Sequence, residues 1–162
     1  MKKIILTVAA VFAMTFANAQ DKGGSSDMKF GVKGGFNSSS SDGGGSASGF
    51  FIGGLAEFSL ADKLVLQPGL NYHTFSADGG STSSLSVPVL FKYNVAEKIN
   101  ILAGPSLYYS LESEVEDKTV FGLDLGGSYD ITDNFFVEPR YSIGLTGEVK
   151  TNVLLIGVGY KF

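Results

Sequence analysis

The sequence contains no cysteine and no tryptophan, and only 17% of its 162 residues are charged. Without cysteine, disulfides, thiolate metal sites and cysteine nucleophiles are excluded. The charged fraction is well below the roughly 25% of an average soluble domain. The 12 lysines and arginines are outnumbered by 16 acidic residues, which leaves no basic footprint for nucleic acid. No run of 18 apolar residues is present, so a transmembrane helix is excluded.

Glycine and aromatic residues are abundant instead, with 22 Gly, 13 Phe and 7 Tyr. The mean hydropathy of +0.19 is high for a soluble protein. A hydropathic, glycine-rich chain with little charge and no spanning helix therefore needs another explanation for its apolar content.

The first 19 residues are predicted to be a Sec-type signal peptide. Lys2 and Lys3 form its positive end, and the mostly apolar stretch 4–17 is too short to cross a membrane. The small residues around Asn18, at 17–19, form a cleavage site, and no cysteine follows that could carry a lipid anchor.

Cleavage would leave a mature chain of residues 20–162. Its net charge would fall from −4 to −6, because two lysines and no acidic residue are removed. We expect a short polar segment at 20–27 and a single domain at 28–162.

Three short segments resemble one another, with Leu60, Val95 and Ile131 at equivalent positions. Each segment has a polar residue, a β-branched residue or leucine, a small residue, an acidic residue, and then Lys or Asn. They predict tight hairpin turns. The three segments are 59–63, 94–98 and 130–134. Four more polar stretches between them are predicted to be longer loops, at 38–49, 76–84, 112–118 and 147–150.

Three turns and four loops divide the chain into eight strands. The predicted strands are 28–37, 50–59, 64–75, 85–94, 99–110, 119–130, 135–146 and 151–162. Most are longer than the roughly 5–6 residues of an average strand and match the roughly 9–11 residues of a tilted strand that crosses a membrane.

Each strand has one large apolar face and one face of mostly small or charged residues. In the last strand, Leu154, Ile156 and Val158 alternate with Gly157 and Gly159. A small eight-stranded barrel has no room for all the large side chains inside, and in water they would form a vast exposed patch. Lipid outside resolves both problems. We therefore predict an all-β fold, an eight-stranded antiparallel up-and-down transmembrane β-barrel with short periplasmic turns, in the outer membrane.

Aromatic residues cluster near both ends of the predicted strands, as the two interfacial belts of a membrane barrel do. The belt at the turns comprises Phe30, Phe58, Tyr93, Tyr129, Phe135, Tyr160 and Phe162. The belt at the loops comprises Phe36, Phe50, Tyr72, Tyr109 and Phe121.

Four motifs resemble the small outer-membrane β-barrel family of Gram-negative bacteria, the porin-family or PorT-like proteins. They are residues 50–54, 87–93, 103–106 and 157–162. The resemblance covers essentially the whole mature chain and implies the fold and the compartment, but no shared catalytic residues. It also implies that Tyr160 and the terminal Phe162 form the signal read by the barrel-assembly machinery.

All four prolines, at positions 68, 88, 105 and 139, lie inside predicted strands. Proline cannot donate a hydrogen bond to a neighbouring strand, and a closed barrel has no free edge. The neighbouring Gly69 and Gly104 predict β-bulges at these places.

Six charged residues are expected inside the barrel, three acidic and three basic. They are Lys33, Glu57, Lys92, Asp124, Glu138 and Arg140. They could form a paired core that plugs the lumen or a selectivity filter of a pore. Eight strands leave no wide channel, which favours the plug.

Two further features could carry chemistry. His73 is the only histidine and could be a general base near Asp78 or a loop serine. However, there is no Gly-x-Ser-x-Gly motif, and the alternation along its predicted strand places the His73 side chain on the inner face. Glu112 and the carboxylates at 114, 116 and 117 could bind Ca²⁺, although they lack the EF-hand pattern and fit a solvated acidic loop.

The predicted function is a structural, envelope-integrity or surface-interaction role for a barrel with a plugged lumen. The alternatives are a narrow porin-like channel and a lipid-modifying enzyme that relies on His73. A soluble lipocalin-like binder is contradicted by the apolar outward faces. We expect a monomer with outer-membrane lipid, lipopolysaccharide and the assembly machinery as partners, and no enzyme activity, cofactor, metal or nucleic acid.

Overall fold

The computed structural model describes residues 28–42, 44–77, 80–112, 118–146 and 150–162. The predicted signal peptide and the segment 20–27 lie outside these ranges. Eight strands form one sheet: β1 (Met28–Ser41), β2 (Ser46–Ala61), β3 (Leu64–Ala77), β4 (Gly80–Ala96), β5 (Ile99–Ser110), β6 (Thr119–Asp130), β7 (Phe135–Gly144) and β8 (Thr151–Lys161).

Consecutive strands pair antiparallel, and β8 pairs with β1, so the sheet closes into a barrel. The predicted fold class is confirmed, including the three tight turns after β2, β4 and β6. We call the end with these turns the turn end and the opposite end the loop end. Within the described residues, no helix is long and apolar enough to cross a membrane.

The first two hairpins extend further toward the loop end than predicted. The segment 38–49, predicted to be a loop, is mostly paired: Ser38 lies opposite Ser48, and Ser40 opposite Ser46. The turn is confined to the residues around Gly44, whose φ of 87° suits glycine. The segment 76–84 is likewise paired from Ser76 onward. The serine- and glycine-rich composition of these segments predicted loops. A strand ladder is formed by backbone groups, so it can continue through such residues.

The strands are staggered by ten residues around the barrel. Starting at Met28 and following the paired residues from strand to strand, the path returns to β1 at Ser38. With a rise of about 3.3 Å per residue and a strand spacing of about 4.8 Å, this stagger tilts the strands by about 40°. Each residue along a strand then advances about 2.5 Å along the barrel axis. Each step across the sheet to the paired residue on the next strand, taken in the order β1 to β8 and back to β1, rises about 3 Å toward the loop end.

The prolines do not mark β-bulges, so that prediction is wrong. The register is unchanged across Pro68 in the β3–β4 ladder and across Pro88 in the β4–β5 ladder. The β5–β6 ladder runs continuously through Pro105, and the β7–β8 ladder runs continuously through Pro139. Each proline instead lies in a short gap in the other ladder, where its missing N–H leaves a bond unmade without shifting the strands. The register shifts lie beside turns, between Ser59 and Ala61 and between Asn94 and Ala96.

The two faces of the wall have the alternation predicted from the sequence. Large apolar residues project outward around the whole barrel, with Ile52 67% exposed and Val158 62% exposed. The inner face is more mixed than expected, because buried apolar side chains accompany the small and charged ones. The larger inner ones are Phe51, Leu55, Leu90, Leu102, Phe136 and Leu155.

Candidate functional site: the barrel lumen

The structure places all six predicted interior charges inside the barrel, where they are buried and take part in ion pairs. Two further residues join them, Asp130 and Lys161. The eight side chains form two groups that we call the turn-end cluster (Glu57, Lys92, Asp130, Lys161) and the central cluster (Lys33, Asp124, Glu138, Arg140). Each contains two cations and two anions, so each is neutral overall.

The turn-end cluster closes the lumen near the turns. Lys92 Nζ donates to Glu57 Oε1 over 2.8 Å, and Lys161 Nζ donates to Asp130 Oδ1 over 2.8 Å. Lys161 also lies 4.0 Å from Glu57 Oε2 and so links the two pairs. The Phe136 ring lies beside both ammonium groups, with its centroid 6.0 Å from Lys92 and 5.4 Å from Lys161. These contacts hold the charges together at the turn end, where Glu57, Lys92 and Lys161 are buried and Asp130 remains partly exposed.

The central cluster connects β1, β6 and β7. Lys33 Nζ donates to Glu138 Oε1 over 2.7 Å, and Ser106 Oγ donates to Asp124 Oδ1 over 2.6 Å. Arg140 lies between the two carboxylates, with Nε 3.4 Å from Asp124 Oδ2 and Nη1 3.9 Å from Glu138 Oε1. Since buried charges must be compensated, this cluster fixes β7 against two other strands.

Three leucines fill the opposite side of the lumen, on β2, β4 and β5. Leu55, Leu90 and Leu102 are at most 3% exposed. Leu55 and Leu90 lie two residues from Glu57 and Lys92 toward the loop end, so they are directly above the turn-end cluster. Charged groups on one side and leucines on the other leave the lumen packed with side chains.

His73 belongs to a polar and aromatic plug at the loop end. Its Nε2 lies 2.8 Å from Ser86 Oγ, and its Nδ1 lies 3.1 Å from Asn37 Nδ2. The imidazole is 0% exposed and is stacked near the rings of Phe51 and Phe75. A Ser–His contact could support nucleophilic chemistry, but this one is enclosed, so the geometry suits a hydrogen-bonded plug. The predicted neighbour of His73 at position 78 lies outside the described residues.

The acidic segment near position 112 adds no described site. Of its four carboxylates, only Glu112 lies within the described ranges. In the part of the chain that the structure describes, no group of three or more His, Cys, Asp and Glu side chains could hold a metal ion.

The predicted aromatic belts lie on the outer wall, and the terminal residues join the belt at the turns. The Tyr160 ring packs 4.9 Å from Phe135 and 5.4 Å from Phe162, measured between centroids. The Phe162 N–H donates to the Phe30 carbonyl over 2.8 Å. The terminal residue therefore both projects its ring outward and ties the chain end to β1.

We expect deletion of Phe162 to reduce assembly in cells more than folding in vitro. The deletion removes one backbone bond and an outward ring but leaves the lumen intact, whereas a terminal signal read by the assembly machinery would be lost. The measurement compares the heat-modifiable gel band in outer-membrane fractions with that of protein refolded in detergent. A Phe135→Ala variant, which trims the same belt, is the control. Equal losses in both assays would contradict a signal role.

These features define a class: a transmembrane eight-stranded barrel with an apolar outer wall and a lumen filled by neutral charge clusters. The sequence matches the family model of the outer membrane protein beta-barrel domain over residues 4–162. The chain belongs to this family, and its compartment is the outer membrane. A comparison with curated protein sequences finds no match.

Solved structures share the fold at low sequence identity. Ail, the attachment invasion locus protein of Yersinia pestis, is 18% identical, with a TM-score of 0.58 over 83% of this chain and 98% of its own. Neisserial surface protein A is 18% identical, with a TM-score of 0.54 over 83% and 97%. The N-terminal β-barrel domain of Pseudomonas aeruginosa OprF is 15% identical, with a TM-score of 0.54 over 83% and 97%.

Proposed function

We propose that this protein is a structural or surface-interaction component of the outer membrane, and that its lumen is closed to solutes. Both termini and the three turns face the periplasm, and the four loops face outside. The proposal rests on the side chains that occupy the lumen: eight charged side chains form neutral clusters, and buried leucines and the polar and aromatic plug around His73 lie beside them. Such an interior stabilises a wall and leaves no wide channel.

The purified barrel is expected to be electrically silent in planar bilayers. Ion entry would require separation of the Lys33–Glu138 pair, whose side chains are at most 3% exposed. The measurement is single-channel recording of protein that shows heat-modifiable mobility on gels, with a wide porin in the same bilayers as a positive control. Reproducible conductance steps in such samples would contradict the closed lumen.

A narrow channel for small solutes or ions is the second candidate, and one observation favours it. Arg140 contacts its carboxylate partners at 3.4 and 3.9 Å, and its Nε and Nη1 make no hydrogen bond. A loosely held guanidinium is the group that could move to admit an ion. If conductance appears, Arg140→Gln should change its ion selectivity, whereas Asp62→Asn at the exposed turn after β2 should not.

A role at the cell surface is supported by the names of two solved structures that share the fold. One is called an attachment invasion locus protein and the other Neisserial surface protein A. We propose outer-membrane lipid and lipopolysaccharide as the surroundings of a monomeric barrel, and the assembly machinery as its partner during insertion.

His73 is assigned a structural role because its ring nitrogens face other lumen side chains.

A further inference from the structure

The outer wall near the loop end has two different sectors. On β1 to β4 it carries hydroxyl groups, and we call this the serine sector: Ser38, Ser40, Ser46, Ser48, Thr74, Ser76, Ser81 and Ser83. On β5 to β7 and the residues that directly follow β5 and β7, it carries large apolar groups, and we call this the high apolar sector: Tyr109, Leu111, Phe121 and Leu145. Leu145 is 59% exposed and Phe121 is 55% exposed, so their side chains are not covered by the barrel.

The strand stagger shows that the two sectors lie at the same height. Leu123 is paired with Ile143, Ile143 with Asn152, and Asn152 with Ser40. These three steps raise Ser40 about 9 Å above Leu123 along the barrel axis. Phe36, four residues before Ser40, is therefore level with Leu123. Phe121 and Leu145 lie two residues further toward the loop end, beside the serine sector rather than below it.

The apolar band starts at one level around the turn end. Phe135 pairs with Tyr160, which pairs with Val32, and two steps of about 3 Å put Phe135 level with Phe30. From Phe30 to Phe36, β1 presents apolar residues over six positions, or about 15 Å. From Phe135 to Leu145, the β7 side presents them over ten residues, or about 25 Å.

We propose that the acyl chains of the bilayer cover the high apolar sector up to Leu145 and stop lower on the serine sector, by up to about 10 Å at Phe36 on β1. The occupant is lipid because the sector continues the lipid-facing wall without interruption. Exposed leucine and phenylalanine favour hydrocarbon, whereas hydroxyl groups lose hydration there, so both sectors favour the same uneven boundary. The protein would thin the bilayer on one side only.

The test uses the absence of natural tryptophan. Ser48 is one step above Ser38 and therefore at the height of Leu145. Leu145→Trp and Ser48→Trp thus form a matched pair at equal height on different sectors. Each full-length variant is refolded into phosphatidylcholine vesicles whose acyl chains carry bromine, and folding is verified by gel mobility before fluorescence is recorded.

We expect bromine to quench the indole fluorescence of Leu145→Trp several-fold more strongly than that of Ser48→Trp, with the emission of Leu145→Trp shifted to the blue. Equal quenching of the two variants would overturn the proposal. Blue-shifted emission of Leu145→Trp without quenching would also overturn it, because a protein surface rather than lipid would then cover the sector. If Leu145→Trp fails to fold, Phe121→Trp reports on the same sector with a smaller change, and Phe36→Trp marks the boundary on β1.

Discussion

The Glu138→Gln variant is expected to lose about 3–5 kcal/mol of unfolding free energy. Glu138 accepts from Lys33 over 2.7 Å, and Arg140 lies 3.9 Å away. All three side chains are buried, so neutralising the carboxylate leaves two cations and one anion in the central cluster. The loss is measured by urea unfolding in detergent micelles, followed by circular dichroism and gel mobility.

Two controls separate charge imbalance from general damage. Glu97→Gln, at an exposed turn, should change the unfolding free energy by less than about 0.5 kcal/mol. The double variant Lys33→Met with Glu138→Gln removes the pair together and should recover much of the loss, because no unpaired charge is left by their removal. A Glu138→Gln loss below about 1 kcal/mol would show that the central cluster does not hold the wall.

The Gly35→Ala variant is expected to destabilise the barrel by about 1–3 kcal/mol or to prevent folding. A Cβ atom at Gly35 would press on the Ile156 carbonyl and lie 2.6 Å from the Gly157 Cα. Both obstacles are backbone atoms of β8, so relief requires β1 and β8 to move apart. The folded fraction and the urea midpoint are the quantities to measure.

Gly54→Ala is the matched control for this prediction. Gly54 lies on the outer face, and the nearest atom to its added Cβ would be the Gly31 carbonyl oxygen at 3.8 Å. This variant should fold as well as the parent, since alanine also reduces the entropy of the unfolded chain. If both variants behave alike, close packing at the seam between β1 and β8 is not limiting.

The alternation of residues was sufficient to predict the wall but not the contacts across it. It placed Lys33 and Glu138 on the inner face, yet they meet only because a ten-residue stagger brings β1 and β7 to matching heights. That stagger depends on the register of all eight ladders, which no local pattern specifies. Lys161 alternates onto the inner face, and Asp130 lies where the predicted strand 119–130 meets the predicted turn 130–134, so neither is among the six predicted interior charges.

The hairpins and the loop-end plug were harder to predict for different reasons. The serines of 38–49 have a composition typical of loops, and only their pairing shows that they are strand. His73 packs between Phe51 and Phe75, which come from two adjacent strands. The strand alternation predicts only that His73 points inward, and the contacts between its ring and the two phenylalanine rings depend on the pairing of β2 with β3. The prolines correctly predicted where the strand ladders are disturbed. The disturbance is a short gap in the pairing and not the predicted β-bulge.

The pairing of β8 with β1 makes closure of the wall a late event. On the side of β1 that faces away from β2, residues 31–41 pair with 151–161, at the far end of the chain. Until those residues are available, every partly built sheet has two open edges with unpaired backbone groups, which favour pairing with other chains. The wall therefore closes only when the last strand is present, and loss of a few C-terminal residues would shorten β8 and leave the turn end of β1 without its partners on that side.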